Sequence, residues 1–310
     1  MTTKLTLVRL NGCSEAAFVD HLGGVFEHAP WVAVAAARAR PHASVAALHA
    51  AMLAELDALS EPALVELLNG HPELAGAQAR AGTMTRDSQA EQGSLALGEI
   101  DDDAAAVWDR LNAAYRMRFG FPFMLCIRRH TRVSALREFE RRLANERSVE
   151  LRNALAEIAR ISRLRLAARI ADHGLGDIAG RLTTHVLDLS RGKPAQGMRL
   201  ELHETGAAGG RRLLRTAETD GDGSTAAALL DGEPLRIGRY ELCFHVGEYF
   251  RRDGVDTADE PFLDVVPIAF GIAEPEGDYH IPITVTPWAY SLSLSKGHKV
   301  ALRGPWRGPG

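Results

Sequence analysis

The sequence predicts a protein of two domains, an all-α helical domain over residues 1–172 followed by an all-β sandwich over residues 179–310. Up to about residue 170, apolar residues recur at three- and four-residue spacing among Ala, Leu, Glu and Arg, which is typical of amphipathic helices. Beyond the glycine-containing stretch 171–180, strand-like segments alternate with turn sequences such as DGDGS and DGEP. The length of 310 residues suits two domains of about 150 residues each.

The first domain is expected to contain seven to nine packed helices. Helical spacing occurs in segments 14–28, 44–58, 60–68, 88–97, 103–119, 134–147 and 148–170. The main interruptions are RPHAS at 40–44 and FGFPF at 119–123. Each contains a proline, which is disfavoured inside a helix.

Two predicted helix starts in this domain carry residues that could also act in catalysis. Asn69-Gly70 is a common helix stop and Pro72 suits the first turn of a new helix, so His71 is expected at or beside an N-cap. There the positive end of the helix dipole would disfavour the imidazolium and keep the ring neutral. Ser88 and Glu91 fit a capping box with Ser88 at the N-cap. An incidental cap remains the structural alternative for His71, as capping does for Glu91.

The second domain is expected to contain about eight short strands, which imply a sandwich. The strand-like segments are RLTTHVLDL, MRLELHET, RRLLRTAET, TAAALL, GRYELCFHV, FLDVVPIAF, DYHIPITVTPWAYSLSLS and HKVAL. The segment EYFRRDG is predicted as a short helix.

The composition of the chain limits the kinds of partner it can bind and the compartment in which we expect it. A formal net charge of -4 argues against nucleic-acid binding by electrostatic attraction. Cys13, Cys126 and Cys243 are scattered and form no CxxC motif, so we expect a reducing compartment without disulfides or structural zinc. No segment resembles a signal peptide or a membrane span. These observations predict a cytoplasmic protein that binds neither nucleic acid nor membrane.

Five motifs of the first domain occur in the order and spacing of a known family. They are FVDHLGGVFEHAPWVAVAA (18–36), LLNGHPELAG (67–76), SQAEQGSLAL (88–97), LNAAYRMRFGFPFMLCIR (111–128) and EIARISRLRL (157–166). Over residues 5–170 the chain closely resembles the decarboxylases that act on 2-oxo-4-hydroxy-4-carboxy-5-ureidoimidazoline (OHCU). The resemblance implies decarboxylation of OHCU to S-allantoin, the last step from urate, with no cofactor and no metal.

The resemblance also implies which residues form the site. It places the catalytic histidine at His71, its paired glutamate at Glu91 and a substrate-binding arginine at Arg165, with Arg163 as the alternative. Both arginines could instead belong to a solvated face or pair with acidic side chains. The implied walls of the site are Pro72, Ser88, Gln92 and the main chain from Phe123 to Ile127.

Residues 179–296 resemble the transthyretin-related 5-hydroxyisourate (HIU) hydrolases, through LTTHVLDLSRGKPAQGMRLEL, GRYELCFHVGEYF and FLDVVPIAFGIAEPEGDYHIPITVTPWAYS. The resemblance implies a transthyretin-like sandwich in which the two active-site histidines are His185 and His280. Ser224 stands where the family has an arginine, and the family's terminal Tyr-Arg-Gly-Ser is replaced by the tail after YS. Two histidines without a nearby carboxylate are weak evidence for a metal.

Three functions are compatible with these features. The first is an OHCU decarboxylase whose hydrolase-like domain is impaired in catalysis and serves assembly. The alternative is a bifunctional allantoin synthase that also hydrolyses HIU, with an arginine from elsewhere, such as Arg307, replacing the missing one. The third is a non-catalytic interaction protein, which the set His71, Glu91 and Gln92 argues against. The expected partners are a small-molecule substrate, OHCU with or without HIU, and further copies of the chain in a dimer or tetramer.

Overall fold

The computed structural model describes residues 5–171, 174–176, 178–206, 209–255 and 259–292. The chain separates into two compact units, Met1–Gly176 and Asp177–Gly310. The first unit is helical and the second consists of two packed sheets. The predicted fold class, an all-α domain followed by an all-β transthyretin-like sandwich, is confirmed.

Ten α-helices form the described part of the first unit. They are α1 (Leu7–Gly12), α2 (Glu15–Leu22), α3 (Pro30–Arg38), α4 (Val45–Asp57), α5 (Glu61–Asn69), α6 (Ala77–Ala81), α7 (Arg86–Gly93), α8 (Asp102–Phe119), α9 (Arg132–Arg142) and α10 (Arg147–Arg169). The expected seven to nine was therefore too few. The sequence pattern missed the short helices α1 and α6, and also α3, an alanine-rich helix that buries Val32, Ala33, Ala36 and Ala37.

The start of several helices follows from their capping residues. The side chains of Ser14, Ser44, Asp101 and Thr131 each accept a hydrogen bond from a backbone N–H of the first helical turn. Such caps satisfy donors that have no partner inside the helix. Among the described residues, none of the helices has the length and apolar character needed to cross a membrane.

The core of the first unit contains an aromatic cluster that reaches the segment after α8. The rings of Phe123 and Phe139 stack with centroids 4.0 Å apart, and Tyr115 meets both edge-on. All three side chains are fully buried. This packing fixes Phe123 and the extended segment that follows it.

The second unit contains eight strands and one helix in its described part. They are β1 (Arg181–Asp188), β2 (Lys193–Pro194), β3 (Arg199–Thr205), β4 (Arg211–Glu218), β5 (Gly238–His245), α11 (Val246–Arg252), β6 (Val265–Ile272), β7 (Asp278–Val285) and β8 (Tyr290–Leu292). One sheet has the order β2-β1-β7-β8 and the other β4-β3-β5-β6. Strands β1 and β7 are parallel, and the other paired strands are antiparallel.

One predicted strand is absent from these sheets. The segment TAAALL (225–230) forms only isolated bridges, in which Leu230 pairs with Leu182 and Thr225 with Thr219. The backbone bonds of Leu229 and Leu230 to the sheet go to Leu182, and Arg215 Nη1 donates to the carbonyls of Ala228 and Leu229, so the segment contacts the sheet without joining its ladder. The predicted strand HKVAL (298–302) lies outside the described residues. The predicted short helix EYFRRDG corresponds to α11.

Candidate active site

One cavity of the helical unit brings together most of the residues that the first resemblance implied, although Cys126 and Arg163 are not part of its lining. Its lining consists of His71, Pro72, Leu74, Ser88, Glu91, Gln92, Phe123, Met124, Leu125, Ile127, Ile161 and Arg165. These residues come from the segment after α5, from α7, from the segment after α8 and from α10. The cavity therefore brings an imidazole, a carboxylate and a guanidinium together against an apolar wall.

His71 lies at the end of a helix and not at the start of one. Helix α5 ends at Asn69 with Gly70 as its C-cap, and α6 begins only at Ala77 with Gly76 as its N-cap. The expectation that His71 would sit beside an N-cap, with Pro72 in the first turn of a new helix, is therefore wrong. The dipole argument fails with it, since the C-terminal end of a helix favours a cation.

Burial is the main reason that the His71 ring is neutral. It lowers the pKa of His71, and the nearby positive charge of Arg165 lowers it further, whereas the Leu67 carbonyl and the Glu27 carboxylate act in the opposite direction. His71 Nδ1 lies 3.1 Å from the carbonyl oxygen of Leu67. Because a carbonyl can only accept, Nδ1 carries the hydrogen, and Nε2 of the neutral ring has a lone pair available for a proton.

Glu91 lies within α7 and does not belong to a capping box. The helix begins at Arg86, and its N-cap is Thr85, whose hydroxyl accepts from Ser88 N. The predicted N-cap position of Ser88 is therefore wrong, and Ser88 is the third helical residue. Ser88, Glu91 and Gln92 are spaced three and four residues apart, which places them on one face of α7.

Arg165 is bound by two other residues of the site, Glu91 and Ser88. Its Nε and Nη2 donate to the two oxygens of Glu91 at 2.7 and 2.8 Å, and its Nη2 reaches Ser88 Oγ at 3.3 Å. The pKa of Arg165 is raised because the contacts with Glu91 and Glu27 outweigh burial. Arg163 instead donates to the carbonyl of Leu175. Of the two arginines that the sequence left open, Arg165 is the one that lines the cavity.

Glu27 is a partner of the site that the sequence analysis missed. Its Oε2 accepts from Arg165 Nη1 at 2.9 Å, and its Oε1 accepts from the Thr85 hydroxyl at 2.5 Å. Burial alone would raise the pKa of Glu27, but the bond from Thr85 and the charge of Arg165 hold it below the ordinary value. A charged residue inside the apolar run VFEHAPWVAV was the available signal, because buried carboxylates require partners.

Gln92 braces the segment that carries His71. Its side-chain oxygen accepts from Ala75 N at 2.9 Å, and its side-chain nitrogen donates to the Glu73 carbonyl at 3.2 Å. Asn112 adds a bond to the Leu74 carbonyl at 2.9 Å. Ala75 adopts a φ of 52°, a strained conformation for alanine that surrounding bonds must hold in place.

A buried ion pair supports the part of the cavity wall that the segment after α8 forms. Arg142 Nε donates to Glu150 Oε2 at 2.9 Å, and Arg142 Nη1 donates to the carbonyl of Met124 at 2.8 Å. The guanidinium also lies over the Phe123 ring at 4.6 Å. Cys126 N is bound by Glu157 Oε2 at 2.8 Å. The main chain from 123 to 127 is therefore held by side chains of α9 and α10.

The second unit places its two implied histidines on one face of a sheet. His280 pairs with Thr183 in the parallel β1–β7 register, and His280 Nδ1 lies 2.9 Å from Thr183 Oγ1. His185, two residues beyond Thr183, shares that face and forms an isolated bridge with Ser224. The bridge places Ser224, the residue that the resemblance aligns with the family's arginine, beside His185. Arg307 and the tail lie outside the described residues.

The fold and the two sites define a small-molecule enzyme unit joined to a transthyretin-like sandwich. The chain belongs to the OHCU decarboxylase family, which it matches over residues 11–167, and its residues 182–293 belong to the HIUase/Transthyretin family.

Two relatives each match one unit of the chain, and one solved structure matches both units. A "2-oxo-4-hydroxy-4-carboxy-5-ureidoimidazoline decarboxylase" of Mus musculus is 38% identical over 54% of this chain and 95% of its own length. A "5-hydroxyisourate hydrolase" of Deinococcus radiodurans is 49% identical over 36% of this chain and 91% of its own. A solved structure titled "(S)-allantoin synthase" spans 93% of this chain and 99% of its own, at 32% identity and a TM-score of 0.49.

Proposed function

We propose that the helical unit decarboxylates OHCU to S-allantoin, and that the sandwich serves assembly and is impaired in the hydrolysis of HIU. The observation that carries the first part is the convergence of His71, Glu91 and Arg165 on one cavity. Membership of the OHCU decarboxylase family supports it further.

Each of the main cavity residues has a separate role in the proposed reaction. Arg165 binds the anionic substrate, as a guanidinium suits a carboxylate or a ureido oxygen. As the bond to the carboxylate carbon breaks and CO₂ leaves, the electron pair of that bond enters an enol-like intermediate, and His71 accepts the substrate's hydroxyl or ring N–H proton. Because loss of CO₂ from a carboxylate consumes one proton overall, the ring takes up one further proton from solvent. His71 then returns a proton to the carbon from one side only. This gives a single enantiomer.

Glu91 has two positions in this proposal. In the free protein its two oxygens occupy the Nε and Nη2 side of Arg165, the side that a substrate carboxylate would use. Substrate binding therefore displaces the Glu91 carboxylate from the guanidinium, and the released carboxylate orients the ureido N–H groups. Glu27 keeps Arg165 in place during this exchange through its separate contact with Nη1. Gln92 and Ser88 maintain the surrounding walls.

The proposed impairment of HIU hydrolysis rests on Ser224. A positioned charged donor that stabilises developing charge is worth about 10²–10³ in rate, and a serine hydroxyl supplies no charge. His185 and His280 share a face in the described sheet. The bifunctional alternative therefore retains both histidines that HIU hydrolysis would use and lacks the arginine expected at position 224. An assembly role suits the sandwich because transthyretin-like sheets associate through edge strands and loops.

One pair of assays tests both parts. Freshly generated HIU and OHCU are supplied separately to the purified full-length protein, and ultraviolet absorbance and the circular dichroism of S-allantoin are followed. We expect OHCU consumption with growth of one enantiomer, and HIU decay at or near the uncatalysed rate. Absence of OHCU turnover would refute the decarboxylase proposal. Rapid HIU decay that His185→Asn or His280→Asn abolishes would establish the bifunctional alternative.

A further inference from the structure

The outer face of the sheet β4-β3-β5-β6 carries a group of metal-ligating side chains. They are Glu201 and His203 of β3 and Glu241 and Cys243 of β5. Along each strand they alternate with core residues such as Leu202 and Leu242, so they project away from the sandwich core. In the β3–β5 register His203 pairs with Glu241, and Glu201 pairs with Cys243. The sheet thus brings together side chains that are about 40 residues apart in the sequence.

Three of these side chains have the spacing of a cation site. One ligand atom each of His203, Glu241 and Cys243 lies within 4.8 Å of the other two. Ligands of a tetrahedral zinc site stand roughly 3.3–3.8 Å apart, from bond lengths of about 2.0–2.3 Å. Small rotations about side-chain bonds therefore suffice to close the site. Nitrogen, oxygen and sulfur together are the donor set that Zn²⁺ prefers.

The environment of His203 gives a second, independent observation. His203 is 9% exposed, and its Nδ1 is buried without a hydrogen-bond partner among the described residues. Unpaired buried polar atoms are uncommon and destabilising, so each requires an explanation. His203 Nε2 faces the carboxylate of Glu201 at 3.7 Å. A metal-bound histidine usually directs its second nitrogen at such a carboxylate, which leaves Nδ1 as the ligand atom.

Arg211 occupies the side of the cluster where a cation would bind. Its Nη2 lies 2.6 Å from Glu241 Oε1 and 2.9 Å from Cys243 Sγ, and Cys243 Sγ lies 3.4 Å from Glu241 Oε1. The Arg211 side chain is 46% exposed and begins the edge strand β4. It can therefore turn into solvent without disturbing the core.

We propose that His203, Glu241 and Cys243 bind Zn²⁺ or a cation of the same class, displacing Arg211, with water as the fourth ligand. The ion would link β3 to β5 and would take no part in the decarboxylation. Because the thiolate is the ligand, cation binding at neutral pH releases a proton.

Cobalt titration of the full-length protein tests this site. After treatment with a chelator, the protein is titrated with Co²⁺, which reports thiolate ligation through a sulfur-to-cobalt charge-transfer absorption. We expect one equivalent of Co²⁺ to produce this band, and one equivalent of Zn²⁺ to remove it. Cys243→Ser should abolish the band, and Cys13→Ser, the matched change in the helical unit, should leave it intact. A wild-type protein without the band, or Cys243→Ser with an unchanged band, overturns the proposal.

Two further measurements remain decisive if Cys243→Ser does not fold. Arg211→Gln removes the competing cation, so we expect it to bind Co²⁺ more tightly than wild type, by about tenfold or more, since neighbouring groups commonly alter metal affinity by about 10–100-fold. Unchanged or weaker binding by Arg211→Gln contradicts the proposal. Zn²⁺ binding to the wild-type protein should release a proton into weakly buffered solution at pH 7. A titration without proton release argues against a thiolate ligand.

Discussion

Arg165 holds Glu91 in a two-point ion pair, with Nε 2.7 Å from Oε1 and Nη2 2.8 Å from Oε2. The Glu91 carboxylate thus contacts the two guanidinium nitrogens that the carboxylate of an anionic substrate would contact. Because this pair is shielded from water, breaking it without a replacement anion is costly. The site therefore favours ligands that bring their own negative charge.

The first prediction concerns the proton-accepting ring. We expect His71→Asn to reduce kcat for OHCU by about 10²–10⁴, the usual contribution of one positioned acid–base group. The change keeps a polar side chain of similar size, so the fold should persist. His21→Asn, at the end of α2, is the control and should retain activity. Wild-type turnover in His71→Asn would exclude the proposed role.

The second prediction separates charge from geometry at Arg165. Lysine keeps the positive charge but cannot make the two-point contact with a carboxylate. We expect Arg165→Lys to lower kcat/KM by on the order of 10², largely through a higher KM. Arg163→Lys, on the same helix, should leave KM near the wild-type value. Equal effects of the two changes on KM would mean that Arg165 has no special part in binding.

The third prediction concerns stability. Glu27 is 3% exposed and pairs with Arg165, and removal of one partner from a buried ion pair typically destabilises by about 3–5 kcal/mol. Glu27→Gln should therefore lower the free energy of unfolding of the helical unit by a few kcal/mol, measured by denaturant titration. Glu15→Gln breaks the exposed pair with Arg38 and should change it by at most about 1 kcal/mol. Similar values for both variants would contradict this account.

The fourth prediction is the pH dependence of catalysis. The pKa of His71 is lowered by burial, so the ring is neutral at pH 7 and loses its proton-accepting lone pair only in more acidic solution. The acid limb of kcat/KM should therefore have its midpoint below the ordinary histidine value of about 6.5. Nuclear magnetic resonance titration of the His71 ring should give the same midpoint. A midpoint above the ordinary value would show that the ring is stabilised as a cation.

The fifth prediction is acid destabilisation through His49. Its Nε2 lies 2.9 Å from Ser162 Oγ, and burial, aided by the charge of Arg163, lowers the pKa of His49 to about 4. In the unfolded chain the ring takes up its proton near pH 6.5. Between these values the unfolded state binds more protons, so the free energy of unfolding falls as the pH falls from about 6.5 to about 4. His49→Gln should weaken this dependence, and His21→Gln should not.

The sequence predicted which residues would meet, but not how the chain presents them. The resemblance that rests on the motifs around His71, Glu91 and Arg165 was sufficient to predict most of the lining of one cavity, but not Leu74 or Ile161. The local structure at His71 was predicted wrongly, because Asn69-Gly70 and Pro72 fit both a helix stop followed by a helix start and a longer irregular connection. Hydrogen bonds from Gln92 and Asn112 stabilise the irregular connection. These bonds are tertiary contacts, which local sequence patterns do not contain.

Glu27 and the cluster around His203 illustrate the same limit. The sequence near Glu27 gave no indication that its partner lies 138 residues away. The ligands His203 and Glu241 become neighbours only through the β3–β5 register. Periodicity predicted these strands well because side-chain alternation is a local property. The pairing of one strand with another is not.

The contacts of Arg165 join the two ends of the helical unit, because Glu27 follows the second helix and Arg165 belongs to the tenth. Closing so long a loop is entropically unfavourable until other contacts compensate. Substrate turnover therefore begins only when the unit is complete. A nascent or clipped chain that lacks its final helix would be inert, and recovery of turnover during refolding would report the docking of that helix.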